Sequence, residues 1–300
     1  MASEDSEHQV VLFLSTGRCG TQFLADRLSA VYSDLARVEH EPHSQEYAPP
    51  HFFSTYHGGD SIVLRPAIQK HLADIRRTLS SRHYVEVGWP IYGVLPRLLL
   101  ELEGRVRVVH LYRHPVRVAA SLTTHSVYGR GEWTDEMSIS PGNVGVVQGY
   151  LAGSAWETMS EFEKCLFWWT EINQYAIDLQ NQFPQIPWLS MSFEDMLLSG
   201  RPDSMKRLLK FMSLPERGEL FDSLTDRTDK YSRTTQESLE IDSLLKYPKA
   251  IEVMEQLGYS YDPAMLREVK ERYKSNLRSR MRRRLKGAWS RVMGRSAADR

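Results

Sequence analysis

The stretch Val10–Leu28, VVLFLSTGRCGTQFLADRL, decides the fold. Its first five residues are unbroken apolar, the pattern of a strand buried on both faces. Ser15 to Thr21 is small and polar and carries Gly17 and Gly20, which reach dihedrals closed to other residues. Phe23, Leu24, Arg27 and Leu28 then follow at helical spacing. Strand, glycine turn and helix N-terminus in that order make an anion cradle, because backbone N–H groups and the helix dipole converge on one point. It is not a Walker A loop, which wants four residues between its glycines and then Lys-Ser/Thr. Here Gly17 and Gly20 are three apart and no lysine follows. Arg18 inside the turn has few packing reasons to be there, whereas its guanidinium suits a phosphate or sulfate oxygen.

The rest of the chain repeats the alternation. The spacing predicts a helix from Pro66 through Leu79, a second strand over 83–88 and a leucine-rich helix over 91–103. A third strand is expected over 105–112, then a helix opened by Pro115. A long helix from about Ala155 to Phe183, a fourth strand over 186–193 and a helix over 203–213 complete the pattern. Between them, 125–154 lacks periodicity and is long for a connection, which suits a lid or substrate loop. Such alternation implies an α/β fold with a parallel sheet and helices on both faces, P-loop nucleotide-kinase-like. Residues 1–9 read as a disordered N-terminus, 10–262 as one domain and 263–300 as a basic helical tail.

Composition bounds the class. The 300 residues are 41% hydrophobic and 25% charged, as in an ordinary globular protein with a sizeable core. Formal net charge is zero but uneven: from Lys270 onward there are twelve Lys/Arg and two acids. Two cysteines suggest no disulfide framework. The acidic N-terminus MASEDSEHQ lacks a signal pattern, and no apolar run reaches the ~20 residues of a membrane span. A cytoplasmic location is expected.

A second motif, RHPVRVAAS, spans Arg113–Ser121. Arg113 leaves the end of a strand and Ser121 lies two turns into the helix that Pro115 starts, too deep for an N-cap. Both motif turns therefore fall at the carboxyl ends of strands, where parallel sheets bind ligands. With both motifs on the page, the chain resembles the sulfotransferases that use 3′-phosphoadenosine 5′-phosphosulfate (PAPS). Arg18-Cys19-Gly20-Thr21-Gln22 stands where that family has Lys/Arg-Ser-Gly-Thr-Thr, and Arg113 and Ser121 match its 3′-phosphate motif. SFEDM at 192–196 weakly resembles the family's Tyr-Glu-Asp-Leu. The resemblance implies PAPS as donor, 3′,5′-adenosine bisphosphate (PAP) as product, no metal, and a hydroxyl or amine acceptor. It assigns donor contacts to Arg18, Cys19, Gly20, Thr21, Gln22, Arg113 and Ser121, with Phe23 near adenine or in the core. Cys19, Gln22 and Phe193 each depart from a hydroxyl residue of the family, and the C-terminal Arg-Lys-Gly motif is missing. Lys230 and Arg233, in the irregular 225–235 segment, are expected to substitute for it.

Sulfuryl transfer needs a base facing the cradle. In the family's Arg-type branches it is often a Glu about twenty residues past the loop, which points to Glu41. Glu39 and His40 are its rivals and Glu86 an outside candidate. In an extended segment Glu39 and Glu41 face one way and His40 the other, so the two carboxylates are expected to pair. In the tail, Leu266, Val269, Tyr273, Leu277, Met281, Leu285, Trp289 and Val292 recur at helical spacing among arginines. That basic amphipathic helix either docks on the acidic body or meets an anionic membrane surface. Partners are then a small-molecule, lipid or carbohydrate acceptor, and no nucleic acid. Two other readings stay open: a nucleotide-dependent kinase, disfavoured by the missing Walker lysine, and a non-catalytic, membrane-recruited nucleotide-binding scaffold.

Overall fold

The computed structural model describes residues 8–44, 66–128, 138–141, 156–198, 202–224 and 239–273. β1 (Val10–Ser15) is buried at every residue, as its apolar run requires. It pairs in parallel with β3 (His83–Gly88) on one side and β4 (Val106–Tyr112) on the other. β2 (Ala36–His40) joins β3 and β5 (Trp188–Ser192) joins β4, giving the parallel order β2-β3-β1-β4-β5. β2 is a fifth strand where the sequence pattern predicts four. Only Ala36 of its five residues is fully buried, so neither an apolar run nor a clean alternation announces it. The chain builds β2 and β3 on one side of β1 and then crosses to β4. The carboxyl ends of β1 and β4 therefore flank the switch point of the sheet.

Pro66, Pro115, Pro202, Pro248 and Pro263 each open a helix, where the missing N–H leaves no bond unmade. α1 (Thr21–Tyr32) packs on β2 and β3, and α2 (Pro66–Thr78) lies on the opposite face of β3. The alternation is visible in single residues. His40 of β2 reaches Thr21 of α1 at 3.2 Å, whereas Glu39 lies with Tyr84, which touches His71 of α2 at 3.2 Å.

Two expected helices are shorter than their patterns. Residues 91–103 resolve into a 3-10 turn (Pro90–Gly93) and α3 (Leu95–Glu101). The long helix α5 (Glu161–Gln182) starts later than 155, because Ser160 and Glu163 form a reciprocal capping box at 3.3 and 2.8 Å. α4 (Pro115–Thr123) packs along α5, and the buried Trp168 and Trp169 of α5 donate their indole N–H to Thr16 O at 3.0 Å and Arg113 O at 2.8 Å. One helix thus braces both motif turns.

α6 (Pro202–Phe211), α7 (Gly218–Leu224), a 3-10 turn (Ile241–Lys246) and α8 (Pro248–Gln256) follow. α9 (Pro263–Arg272) begins the basic segment. It buries Leu266 and Val269, contacts α4 and pairs Glu268 with Arg117 at 2.8 Å, so this first part docks on the body. Residues 274–300, Lys230, Arg233 and most of the 125–154 stretch lie outside the described residues. No helix among the described residues is long and apolar enough to cross a membrane.

Candidate active site

Gly17, Arg18 and Gly20 all take left-handed backbone, with φ of 73°, 58° and 75°. Gly20 is required on two counts: its dihedral, and space, since a Cβ there would lie 2.9 Å from Phe193 and 3.0 Å from Leu197. Arg18 has a Cβ and carries strain on the order of 1–2 kcal/mol. The turn is stapled from inside. Ser15 Oγ accepts Gly17 N–H at 3.1 Å, and Thr16 Oγ1 and Cys19 Sγ both donate to Gly17 O, at 3.0 and 3.3 Å. α1 starts at Thr21 with Gly20 as N-cap and no capping side chain, so its first-turn N–H groups have no intrahelical acceptor.

Three expected donor contacts sit differently. Cys19 is fully buried as part of the staple, and burial pushes its thiol up to about 11. Gln22 is exposed and bonds Asp26 along α1 at 2.7 Å. Phe23 is half-buried, with the Arg27 guanidinium 5.2 Å from its ring. Neither Cys19 nor Gln22 presents its side chain to an anion. The first turn of α1 still offers its backbone N–H groups, which have no intrahelical acceptor.

The second motif closes on the first. Arg113 lies 4.3 Å over the Phe193 ring, and its Nη1–H donates to Arg18 O at 2.8 Å. Its buried Nε has no hydrogen-bond partner among the described residues and sits 4.0 Å from Glu194 Oε1. Ser121, buried on α4, accepts Arg18 Nε–H at 2.8 Å. Glu194 in turn accepts from Tyr259 OH at 2.6 Å and His114 N–H at 3.4 Å. Phe193, read from sequence as a lost hydroxyl, is thus the platform of the Arg113 guanidinium. Glu194 gave only a weak motif signal, and Tyr259, Trp168 and Trp169 gave none.

Glu41 stands past the end of β2 with φ 48°, its N–H donating to Val87 O at 3.3 Å. Its side chain lies across β3, because Gly88 has none: a Cβ on Gly88 would be 2.5 Å from Glu41 Cγ. Burial pushes the Glu41 carboxyl up to about 7, opposed by the Trp89 backbone N–H and the Arg18 guanidinium and reinforced by Glu86. His40 Nε2 is 3.4 Å from Glu41 Oε1, and burial pulls its imidazole below the ordinary range. Glu39 is elsewhere. It pairs with Arg37 and accepts from Tyr84 OH at 2.7 Å. The expected pairing of Glu39 with Glu41 is not formed, because the left-handed step at Glu41 turns its carboxyl over β3 and makes Glu86 its acidic neighbour.

An Arg-bearing turn, a second guanidinium whose buried Nε has no hydrogen-bond partner among the described residues, and a carboxyl held near neutrality thus share one sheet edge. The model of the family described as "Sulfotransferase domain" matches residues 8–297. The chain belongs to the sulfotransferase domain family. Among solved structures, the sulfotransferase domain from the curacin biosynthetic pathway is similar at 16% identity, over 85% of this chain and 99% of that one, with a TM-score of 0.51. The sulfotransferase domain from the Synechococcus PCC 7002 olefin synthase is similar at 16% identity, over 85% and 98%, with a TM-score of 0.49. The first of these likenesses shows the fold of the sulfotransferase. No curated protein sequence matches the chain.

Proposed function

We propose that this sulfotransferase moves a sulfuryl group from PAPS to a hydroxyl or amine of a small-molecule, lipid or carbohydrate acceptor and releases PAP. The observation that carries the reading is the Arg113 guanidinium. It is largely buried, its Nε has no hydrogen-bond partner among the described residues and only the Glu194 carboxylate at 4.0 Å, and its Nη1 bonds the carbonyl of Arg18, the residue that also bonds Ser121. A buried donor left without an acceptor costs about 1–3 kcal/mol, more for a charged group, which an anionic oxygen would recover. A nucleotide with phosphate at both the 3′ and 5′ positions needs two anion sites, one at each motif turn.

PAPS supplies a sulfuryl group activated on its 5′-phosphate. Arg18 and the first-turn N–H groups of α1 meet the charge that develops on the sulfuryl and phosphate oxygens. Glu41 accepts the acceptor's proton while the new bond to sulfur forms and the sulfur–oxygen bond to the phosphate breaks. His40, 3.4 Å away, holds that carboxyl, and Arg113 and Ser121 fix the 3′ end. The work is positioning and electrostatics, as in phosphoryl transfer. Incubation with labelled PAPS and fractionated acceptor extracts tests the reading. A labelled product that disappears with Glu41→Gln supports it, and no product from any acceptor class favours a non-catalytic nucleotide binder. The basic tail belongs to the same proposal as a contact to an anionic lipid surface. If phosphatidylserine vesicles float the native chain and a variant with Arg282, Arg283 and Arg284 all changed to Gln equally well, that contact is excluded.

A further inference from the structure

Register places two carboxyl groups on consecutive rungs of one sheet face. Glu39 is the partner of Glu86 across β2 and β3, and Leu12 is its partner across β3 and β1. The Glu41 N–H to Val87 O bond carries the pairing one residue past β2, beside Gly88. Successive same-face residues of a strand are roughly 7 Å apart. Glu41 has folded across the bare backbone of Gly88, two residues along the strand from Glu86.

Glu86 itself is 1% exposed and held on two sides. His71 Nε2 and Tyr84 OH each lie 3.1 Å from its Oε2. The groups facing this strip come from every element around it. β2 supplies Arg37 and Glu39, β3 Tyr84, and α2 His71, whose ring stands edge-on to His43 at 4.4 Å. His40 and Arg18 face Glu41 from its other side, and β1 contributes Val10, Leu12 and Leu14 to this face. A buried carboxylate–imidazole pair is weak evidence for stability, since apolar replacement of such pairs is often neutral. Fixed charge beside the candidate base is what the pair adds.

Resting on the assignment of Glu41 as the base, we propose that Glu86 is a positioning residue. Held by His71, with Tyr84 OH beside it, its carboxylate sets a negative charge one rung behind Glu41 and strengthens Glu41 as a proton acceptor. Two unit charges about 7 Å apart at an effective dielectric near 20 interact strongly enough to change a proton affinity by about 10-fold or more. The direction agrees with the contribution of Glu86 to the raised Glu41 carboxyl.

The test is a carboxyl-carbon NMR titration of the full chain labelled at glutamate, with the Glu41 signal assigned by Glu41→Gln. In Glu86→Gln the Glu41 midpoint falls by about one unit, and in Glu86→Asp, which keeps the charge, it stays within about half a unit. If Glu86→Gln does not fold, the double variant Glu86→Leu with His71→Phe replaces the pair by apolar groups and gives the same readout. A Glu41 midpoint unmoved in either neutralised variant overturns the proposal. A merely structural Glu86 would change melting and leave the midpoint alone. Calorimetry with PAP separates this inference from the functional reading. PAP binding with an unmoved midpoint sinks only the role of Glu86, and a moved midpoint without PAP binding sinks only the donor assignment.

Discussion

Arg18 Nε–H donates to the Ser121 hydroxyl at 2.8 Å, joining two turns that lie 103 residues apart in the chain. Arg113 closes the same gap from the other side through Arg18 O. The two anion sites are therefore mechanically one. In the proposed reading, a ligand phosphate at the Ser121 end would meet a guanidinium whose backbone belongs to the turn assigned to the 5′ end. On the proposed donor assignment, loss of either arginine would be felt at both ends of the nucleotide.

Ser121→Ala removes the acceptor of a charge-assisted bond worth about 1.5–3 kcal/mol, and with it a donor to the 3′-phosphate. PAP affinity measured by calorimetry is expected to fall about 10- to 100-fold, with the melting temperature lowered by roughly 3–10 °C from loss of the Arg18–Ser121 bond. Affinity within twofold of the parent would contradict the assignment.

Gly88→Ala places a methyl group 2.5 Å from Glu41 Cγ. Glu41 must leave its position over β3, and misplacement of a base by about 1 Å costs roughly 100-fold in rate. The expected signature is a kcat lowered by that order with PAP affinity retained, measured with any acceptor the labelled-donor screen yields. Equal losses in both would mean that the donor site, not the base, had been disturbed.

The pH profile follows from the Glu41 carboxyl, held up to about 7 chiefly by burial. Only the ionised form accepts a proton, so kcat/KM rises with pH and levels off above about 7. Glu41→Gln is expected to remove that limb and lower kcat by about 10²- to 10⁴-fold. A limb that survives the substitution would assign it to His40 or another group.

Glu171 of α5 is wholly buried, and neither carboxyl oxygen has a hydrogen-bond partner among the described residues. Burial pushes it from an ordinary 4.5 up to about 8. A carboxyl that binds its proton more tightly in the fold contributes fully at low pH and loses stability as pH rises from about 4.5 to about 8. Glu171→Gln, which cannot ionise, is expected to raise the melting temperature by roughly 5–10 °C at pH 8 and by less than about 2 °C at pH 5. The same gain at both pH values would show that packing, not ionisation, was relieved.

Much of the fold was legible because its signals are local. β1 is an unbroken apolar run, and the proline-opened helices begin where their prolines stand. β2 was hidden because an edge strand held by main-chain pairing needs little apolar side chain. The start of α5 was set by the Ser160–Glu163 box rather than by its periodicity.

The placement of the candidate site was legible where a motif repeats: Arg18, Arg113 and Ser121, read from two separate motifs, are brought together at one sheet edge, and Glu41 lies at that edge over β3. It was not legible where function depends on an absence or on a distant partner. Gly88 matters for the side chain it lacks. Glu86 neighbours Glu41 only because one left-handed residue redirects the carboxyl. Tyr259 reaches Glu194 across 65 residues at 2.6 Å, a contact that no local spacing encodes.

The central claim is that one ligand spans both turns, with phosphate at each end. Calorimetric titration of the full chain with PAP and with adenosine 5′-monophosphate tests it most directly, because the two differ only in the 3′-phosphate that Arg113 and Ser121 would hold. Two charge-assisted contacts predict PAP tighter by about 50-fold or more, with the difference largely abolished in Arg113→Met. Equal affinity for the two nucleotides would contradict the account.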